Sequence, residues 1–479
     1  MATETAASTP AKLSVAVPQE VRESHADLGP TSARFLEYVL RHPEMAQRVD
    51  YRKSDILLEP MRQGPANLQP WPTLMGADKR QRIAAATVGL VELAKIIPER
   101  LFASDHRRIR DFYGLRDESL SALLLSKPNG IAGCFARCDL IDDGTDFKCL
   151  EMNVSASLGG WQIRFFHLAC LANPGVAAFL AAEGVEPHHR DPWRSALAVI
   201  VRQGLEQGHD ENGEFNVAVA VSRETSRFEQ VISMMHELLQ EVLGEIGGGH
   251  RGQLVKSLYP NDLVPRGDRL YHRKLRISAV IEPTGHPTPK DVYRCFKAGR
   301  VGLYNGPIST LLTPKSNLAV LSEHEESDLL SAEEREVVRR HVPWSRLVAD
   351  GPTTYHGERV SNLIDFAVAR RESLVLKPVG GFQSMGVHIG WRTSPAEWEQ
   401  HLRGTAGSGK VLLQELVASR QYFYQQGEEG WGPHQAIWGT FSLGGTYGGS
   451  FVRLLPVAGG PRVINASIEG ATMGLVYEV

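Results

Sequence analysis

The run from Ser373 to Gly390, Ser-Leu-Val-Leu-Lys-Pro-Val-Gly-Gly-Phe-Gln-Ser-Met-Gly-Val-His-Ile-Gly, constrains this chain more than any other stretch. Ser373 to Leu376 is short and apolar with no turn former inside it, so it reads as a buried strand. Lys377 ends it. Gly380, Gly381 and Gly386 punctuate the following loop, and Val387 to Ile389 resumes an extended pattern. Glycines permit positive φ and close backbone approach, and a lysine supplies a point charge. Strand, lysine, glycine-rich turn and strand can therefore make a hinged flap of backbone N–H groups over a polyphosphate. The turn has neither the helix entry nor the Gly-Lys-Ser/Thr ending of a P-loop, and no dinucleotide fingerprint. A β-hairpin with a flexible tip fits the same residues, and the stretch alone leaves both open.

A second informative region runs from Asn129 to Trp161. Gly133 to Ile141 reads as a strand, Asp142 to Asp146 as a turn, and Phe147 to Met152 as the return strand. Arg137 and Asp139 are two apart and share a face, as do Glu151 and Asn153. A carboxylate and an amide oxygen presented together suit a hard cation. Ser155, Ser157, Gly159 and Gly160 follow directly. The plainer reading is a hairpin carrying an Arg–Asp surface pair.

Elsewhere the chain alternates strands and helices. Helical patterns cover Thr31 to Val49, Arg80 to Ile97, Asp105 to Leu125 and Trp193 to Gln207. Phe215 to Ser222 is a continuous apolar strand, followed by an amphipathic helix to about Val242. Ile277 to Ile281 repeats the strand pattern and ends at Glu282. Strands separated by helices point to a parallel α/β layer, with ligands expected at the carboxyl ends of its strands. Thr313 is read as the N-cap of a helix with Pro314 at its first position, placing Lys315 in the first turn. Ser331 to His341 and Val360 to Arg371 read as further helices. Lys410 to Val417 is a strand whose end, Gln414, Glu415, Leu416 and Val417, can meet an adenine edge with backbone groups. Gln435 to Ser442 and Tyr447 to Leu455 form a hairpin over Gly444 and Gly445, with Arg453 on its second strand. Ile464 to Gly474, containing Ala471, reads as a small-residue loop beside a buried site.

Composition narrows the class. At 479 residues the chain can bury a large core and form two or three lobes. Hydrophobic residues make up 42% and charged residues 22%, which is ordinary for a globular protein. A net charge of −3 and the lack of a basic block argue against nucleic acid as a partner. No apolar run is long enough to cross a bilayer, so no membrane association is expected. The first residues, rich in Ala, Ser, Thr and Pro, read as a disordered lead-in rather than a secretory signal. Five scattered cysteines, without metal-ligand spacing, read as reduced core residues of a cytoplasmic protein.

In their order, these parts resemble the eukaryotic-type glutathione synthetases, the circularly permuted branch of the ATP-grasp ligases. The resemblance covers roughly Asn129 to Met473. It rests on Arg137-Cys-Asp139, on Leu150-Glu-Met-Asn-Val-Ser-Ala-Ser-Leu-Gly-Gly160, on Lys315, on Leu376-Lys-Pro378 with its glycines, on Gln414 to Val417, and on Arg453 with Ser467 to Gly474. The implied fold is α/β with an α+β lid: a circularly permuted ATP-grasp fold with a parallel α/β substrate-binding subdomain. The implied division is a disordered tail over 1–28, a helical region with the Glu-x-Asn hairpin over 29–205, the substrate-binding subdomain over 206–310, and the lid with the closing loops over 311–479.

The resemblance also assigns roles. Glu151 and Asn153 would ligate Mg²⁺. Lys315, Lys377, Gly380, Gly381, Gln383, Ser384, Gly386, Gln414, Glu415 and Val417 would bind ATP. Arg137 and Arg453 would be catalytic, clamping a carboxylate or oxyanion. Ser155, Ser157, Ser226, Gln230 and Ala471 would contact substrate. The implied reaction is ATP-dependent joining of a small-molecule carboxylate to an amine through an acyl phosphate, in a homodimer. A catalytically impaired ATP-binding module and a small-molecule kinase are the alternatives. Four departures from the family pattern stand out. The glycine loop has no glutamate, leaving Gln383 or Glu469 to compensate. Leu455 replaces a lysine two after Arg453. Ser226 replaces an asparagine, and Glu282-Pro-Thr stands where the family has an arginine. The nucleotide half is the better preserved, which implies the same reaction type on other substrates than those of glutathione synthesis.

Overall fold

Strands Trp431–Leu443 and Thr446–Pro456 carry many β-branched and aromatic residues and pair over a two-residue turn. Gly444 and Gly445 both have positive φ, the conformation that matches the twist of a tight hairpin. This hairpin lies at the middle of an eight-stranded sheet in the computed structural model, which describes residues 17–42, 67–69, 71–126, 133–156, 158–160, 162–221, 229–258, 261–282, 288–381, 385–425, 430–457 and 471–479. Across it run Asn67–Leu68, Thr472–Glu478, Thr446–Pro456, Trp431–Leu443, Phe135–Asp142 and Phe147–Val154. Gln421–Gln425 pairs with the Trp431 strand, and Thr73–Met75 with the closing strand.

The period of two along these strands sorts their side chains onto two faces. Cys138, Leu140, Trp438, Val452 and Leu454 pack in one core with Ile83, Ala86, Leu90 and Val91 of helix Ala77–Ile96. Phe135, Phe441, Leu443 and Phe451 face the other way. They share a second core with helix Pro192–Glu206 and with the parallel layer.

That layer is a four-stranded sheet in the order Gly302–Tyr304, Ala279–Ile281, Val217–Val221, Leu254–Leu258, parallel throughout. Helix Glu229–Ile246 buries Met235, Leu238, Leu239 and Val242 on its sheet-facing side. The core crosses residue 205 without a break: Leu197, Ile200 and Val201 join Val217 and Leu239 in one cluster. Strands Trp431–Leu443, Thr446–Pro456 and Thr472–Glu478 belong to the large sheet.

A third sheet is antiparallel in the order Ser345–Leu347, Val411–Glu415, Leu374–Pro378, His388–Ile389. Helices Leu363–Ala369 and Pro395–Thr405 cover it with Ile364, Ala367, Trp398 and Leu402. Trp398 Nε1 donates to Ala367 O at 2.9 Å.

Several expectations change. Residues 17–28 are not a tail: Gln19–Leu28 is a helix that buries Val21 and Leu28, while residues 1–16 lie outside the described residues. The first long helical pattern gives Pro30–Arg41, and Met45 lies outside the described residues. Asp105 to Leu125 is two helices, because Gly114 adopts a left-handed C-cap after Tyr113. Thr313 is not an N-cap. Its hydroxyl donates to Val154 O at 2.8 Å, and Lys315 precedes helix Ser316–Glu323. Thr472 to Gly474 is not loop but the start of a strand, held antiparallel to Thr446–Pro456. The expectation for residues 464–470 lies outside the described residues. Ser331 caps its helix through a full capping box with Glu334, as the Ser-Ala-Glu-Glu pattern indicates. All five cysteines are free and buried.

Candidate active site

Register determines which side chains of the early hairpin meet. Arg137 lies opposite Asn153, and Asp139 opposite Glu151. On the other flank Arg137 pairs with Phe441 and Asp139 with Gly439, while Gly439 in turn pairs with Phe451. Directly opposed residues share a face. Arg137, Asp139, Glu151, Asn153, Phe441 and Phe451 therefore line one surface of the sheet.

Asp139 is the hub of this surface. It is buried, and its Oδ1 lies 2.9 Å from Arg137 Nε and 2.8 Å from Arg453 Nη2. Burial opposes its ionisation, but the two guanidiniums outweigh burial and hold the carboxyl well below the usual carboxylate range. Arg137 also donates from Nη1 to Leu158 O at 2.6 Å. Burial works against its charge, and Asp139 more than restores it. Arg453 Nε is buried without a hydrogen-bond partner among the described residues. Both guanidiniums lie near the Phe451 ring, at 5.8 and 5.7 Å from its centroid. Phe451 can lie there because Gly439 has no side chain: a Cβ at that position would come within 2.5 Å of the ring. Two cationic forks thus share one carboxylate, leaving a positive charge in excess.

Strand Leu374–Pro378 meets the hairpin through Lys377. A bulge in the pairing, with Asp139 opposite Glu151 but Leu140 opposite Cys149, leaves Leu150 without a partner residue. Lys377 Nζ donates to the Leu150 carbonyl at 3.3 Å and to Gln414 Oε1 at 2.6 Å. Gln414 is fully buried and held in turn by a bond from its Nε2 to Ser345 Oγ at 3.0 Å. Burial, together with the charge of Lys315, pushes the Lys377 ammonium down to about 8, although Glu151 acts the other way. Lys315 Nζ lies 3.0 Å from Glu151 Oε2 and donates to Gly381 O at 3.2 Å. The Lys315 backbone N–H donates to Val379 O. Lysine, glycine loop and Glu151 are thus one connected cluster.

Asn153 Nδ2 donates to Glu151 Oε1 at 3.3 Å and to Asp139 Oδ2 at 3.5 Å. That orientation reserves its amide oxygen as an acceptor. A carboxylate and an amide oxygen fit Mg²⁺, which commonly takes one or two protein ligands and completes its shell from phosphates and water. Among the described residues no group of three or more His, Cys, Asp or Glu side chains could hold a metal ion.

Other expected residues lie less centrally. Gly386 has positive φ, and a Cβ there would sit 3.0 Å from Pro378 Cγ. Gly380 and Gly381 follow strand Leu374–Pro378 after Val379. The Glu415 carboxylate accepts from Tyr355 Oη at 2.8 Å, and the amides of Glu415 and Leu416 donate to Trp344 O and Ser373 O. Those two amides are therefore not available to a base. Val417 packs with Ile141, Ile437, Leu455 and Ala471. Leu455, where the family has a lysine, is thus an apolar packing residue. Ser155 lines a cavity near Arg137. Gln230 is exposed on the first turn of its helix. Glu282 is buried and accepts from Thr288 Oγ1 at 2.6 Å. Ser157, Ser226, Gln383, Ser384 and Glu469 lie outside the described residues.

Sequence reasoning overlooked Asp139 as a shared counter-ion, the Gly439–Phe451 platform and the Gln414 support of Lys377. A glycine inside an otherwise apolar strand was the available signal for the second.

No protein-family model and no curated protein sequence matches the chain. Among solved structures it is similar to a glutathione synthetase-like effector from Globodera pallida in its apo form, with a TM-score of 0.51 and 12% identity over 86% of this chain and 90% of that one. A protein provisionally named a gamma-glutamylcysteine synthetase, from Methylobacillus flagellatus, gives a TM-score of 0.39 and 12% identity over 82% and 88%. The first likeness places the mixed α/β architecture with the glutathione synthetase-like fold; the second adds nothing to it.

Proposed function

We propose that the protein is an ATP-dependent carboxylate–amine ligase with a permuted ATP-grasp arrangement, forming an amide and releasing ADP and phosphate. The observation that carries this reading is the position of Lys315, in contact with both the Glu151 carboxylate and the glycine loop at Gly381. A polyphosphate between them would be met by lysines on one side and, through a cation, by a carboxylate on the other.

A carboxylate is a poor acyl donor because its leaving group is oxide. In the proposed reaction its oxygen attacks the γ-phosphorus of ATP, and the bond to the bridging oxygen breaks to release ADP. The amine then attacks the acyl carbon, phosphate leaves with the C–O electrons, and the amine loses a proton. Positioning and charge stabilisation supply most of such a catalyst's effect. Lys315 and Lys377 would neutralise phosphate oxygens, and the backbone around Gly380 and Gly381 would cover the phosphates from water. Arg137 and Arg453 would hold the reacting carboxylate with guanidinium donors, which suit its planar geometry. Glu151 and Asn153 would hold Mg²⁺, which supplies charge neutralisation at the phosphates when bound.

The test is ADP release by the purified protein with ATP, Mg²⁺ and pooled amino acids, small acids and amines. No ADP under any mixture, with no ATP binding by calorimetry, rejects the proposal. A second reading, nucleotide binding without turnover, follows from the lack of a glutamate in the glycine loop after Lys377. ATP binding with no ADP release from any mixture would select it.

A further inference from the structure

The antiparallel sheet that carries Lys377 has two unlike faces. Leu374, Leu376 and Leu413 turn towards helices Leu363–Ala369 and Pro395–Thr405 and pack with Trp398 and Leu402. The alternate residues face the other way. Gln414 is opposite Ser345 on one side and Val375 on the other, and Lys377 is opposite Leu412. Opposed residues share a face, so Ser345, Gln414, Val375, Lys377 and Leu412 lie on the surface away from those helices. Gln414 and Lys377 are diagonal neighbours there, about 7–8 Å apart at the backbone, a gap that two long side chains can close. Their side chains meet at 2.6 Å.

Gln414 is fully buried, as are Val375 and Leu412 beside it, and a buried amide is costly unless its groups are bonded. The surrounding hydrogen bonds fix which end of the amide faces Lys377. Ser345 Oγ donates its single proton to Pro343 O at 2.8 Å, so towards Gln414 it accepts. Gln414 therefore gives Nε2 to Ser345 Oγ at 3.0 Å and presents Oε1 to the Lys377 ammonium. The other acceptor of that ammonium is the Leu150 carbonyl at the bulge, 3.3 Å away. Both acceptors are uncharged. Among the described residues no carboxylate is paired with Lys377, whereas Lys315 lies 3.0 Å from the Glu151 carboxylate.

We infer that Gln414 is a positioning residue for nucleotide binding: its side-chain oxygen holds the Lys377 ammonium in place without cancelling its charge. The inference rests on the reading of this cluster as a nucleotide site. A neutral acceptor leaves the ammonium's charge for a phosphate oxygen, whereas a carboxylate in the same place would compete with the phosphate. Held at two points, the lysine also has little side-chain freedom left to lose when a phosphate arrives. The Gln414 backbone lies inside the sheet, paired with Ser345 on one side and Val375 on the other, so its part in the site falls to its side chain.

Calorimetric titration of the full-length protein with ATP and Mg²⁺, run as a double-mutant cycle, tests this. Gln414→Met removes the acceptor at similar volume and should weaken ATP binding roughly tenfold or more, the scale of a lost hydrogen bond to a charged group. In the Lys377→Met background the same change should alter ATP affinity by less than about twofold, because its effect passes through Lys377. A purely structural role would weaken binding alike in both backgrounds. Gln414→Glu keeps an acceptor but neutralises the ammonium, and should weaken ATP binding without lowering the melting temperature. Should Gln414→Met fail to fold, Ser345→Ala frees the amide to turn its NH₂ group towards Lys377, and should weaken ATP binding only where Lys377 is present. Equal losses in both backgrounds, or wild-type ATP affinity in the Gln414 variants, overturn the inference and leave the nucleotide reading standing. No ATP binding by the unaltered protein overturns both.

Discussion

Lys315 and Glu151 lie 3.0 Å apart although one precedes helix Ser316–Glu323 and the other sits on the return strand of the early hairpin. The ammonium is the counter-charge of the carboxylate, and under the proposed ligase reading a bound cation would take that place. Glu151→Gln removes that charge at nearly constant volume. Expected is a fall of roughly 100-fold in Mg²⁺-dependent ADP release, the scale of losing one electrostatic stabiliser. Calorimetry should show ATP still bound but its Mg²⁺ dependence reduced. Unchanged turnover would remove Glu151 from the metal site.

Gly439 permits Phe451 to lie beside Arg137 and Arg453. Gly439→Ala forces the ring aside and should destabilise the fold by about 1–3 kcal/mol, the usual cost of overpacking. Urea unfolding measures this. The same variant should raise KM for the carboxylic acid more than KM for ATP, because the displaced ring supports the guanidiniums and not the lysines.

A different buried ion cluster ties the N-terminal helices to the large sheet. Lys79 Nζ contacts Asp142 Oδ2 at 2.7 Å and the Asp27 carboxylate, and it lies above the Tyr422 ring. Tyr422 Oη donates to Asp142 at 2.6 Å. Lys79→Met leaves a buried carboxylate without its cation and should cost about 3–5 kcal/mol. The check is chemical denaturation, with ATP affinity as the control expected to hold.

Acid should unfold the protein through its buried histidines. His25 Nε2 donates to Phe423 O and its Nδ1 is hydrogen-bonded to Ser32 Oγ, while burial holds its pKa down at about 4. His434 is likewise held at about 4 by burial. Both lie below the ordinary 6.5, so between pH 6.5 and 4 the unfolded chain binds more protons than the folded one. Stability is therefore complete above about 6.5 and falls as pH drops towards 4, by on the order of 3 kcal/mol per imidazole. Denaturant midpoints measured across that range should decline, and His434→Gln should flatten the slope. A pH-independent midpoint would falsify the assignment.

Part of this site was legible in the chain itself. The period of two places Arg137 with Asp139 and Glu151 with Asn153 on one face, and the hairpin register agrees with it. The strand around Lys377 and the turn at Gly444 and Gly445 were marked by apolar runs ended by glycines. The Ser331 capping box was equally local. The tail was overextended because composition near the N-terminus says nothing of Val21 and Leu28, which are buried only by tertiary contacts. The closing strand was missed because Thr472 to Gly474 owes its extended form to pairing with Arg453 and its neighbours.

What the sequence by itself determined are the local pairings, since side-chain periodicity and glycine conformations depend only on near neighbours along the backbone. The tertiary structure alone decided that Asp139 would be shared by Arg137 and Arg453, that Lys315 would reach Glu151, and that Leu455 would sit among apolar side chains. Charges far apart in the chain interact only once packing has removed the water between them, and no residue pattern records which strands will be brought together.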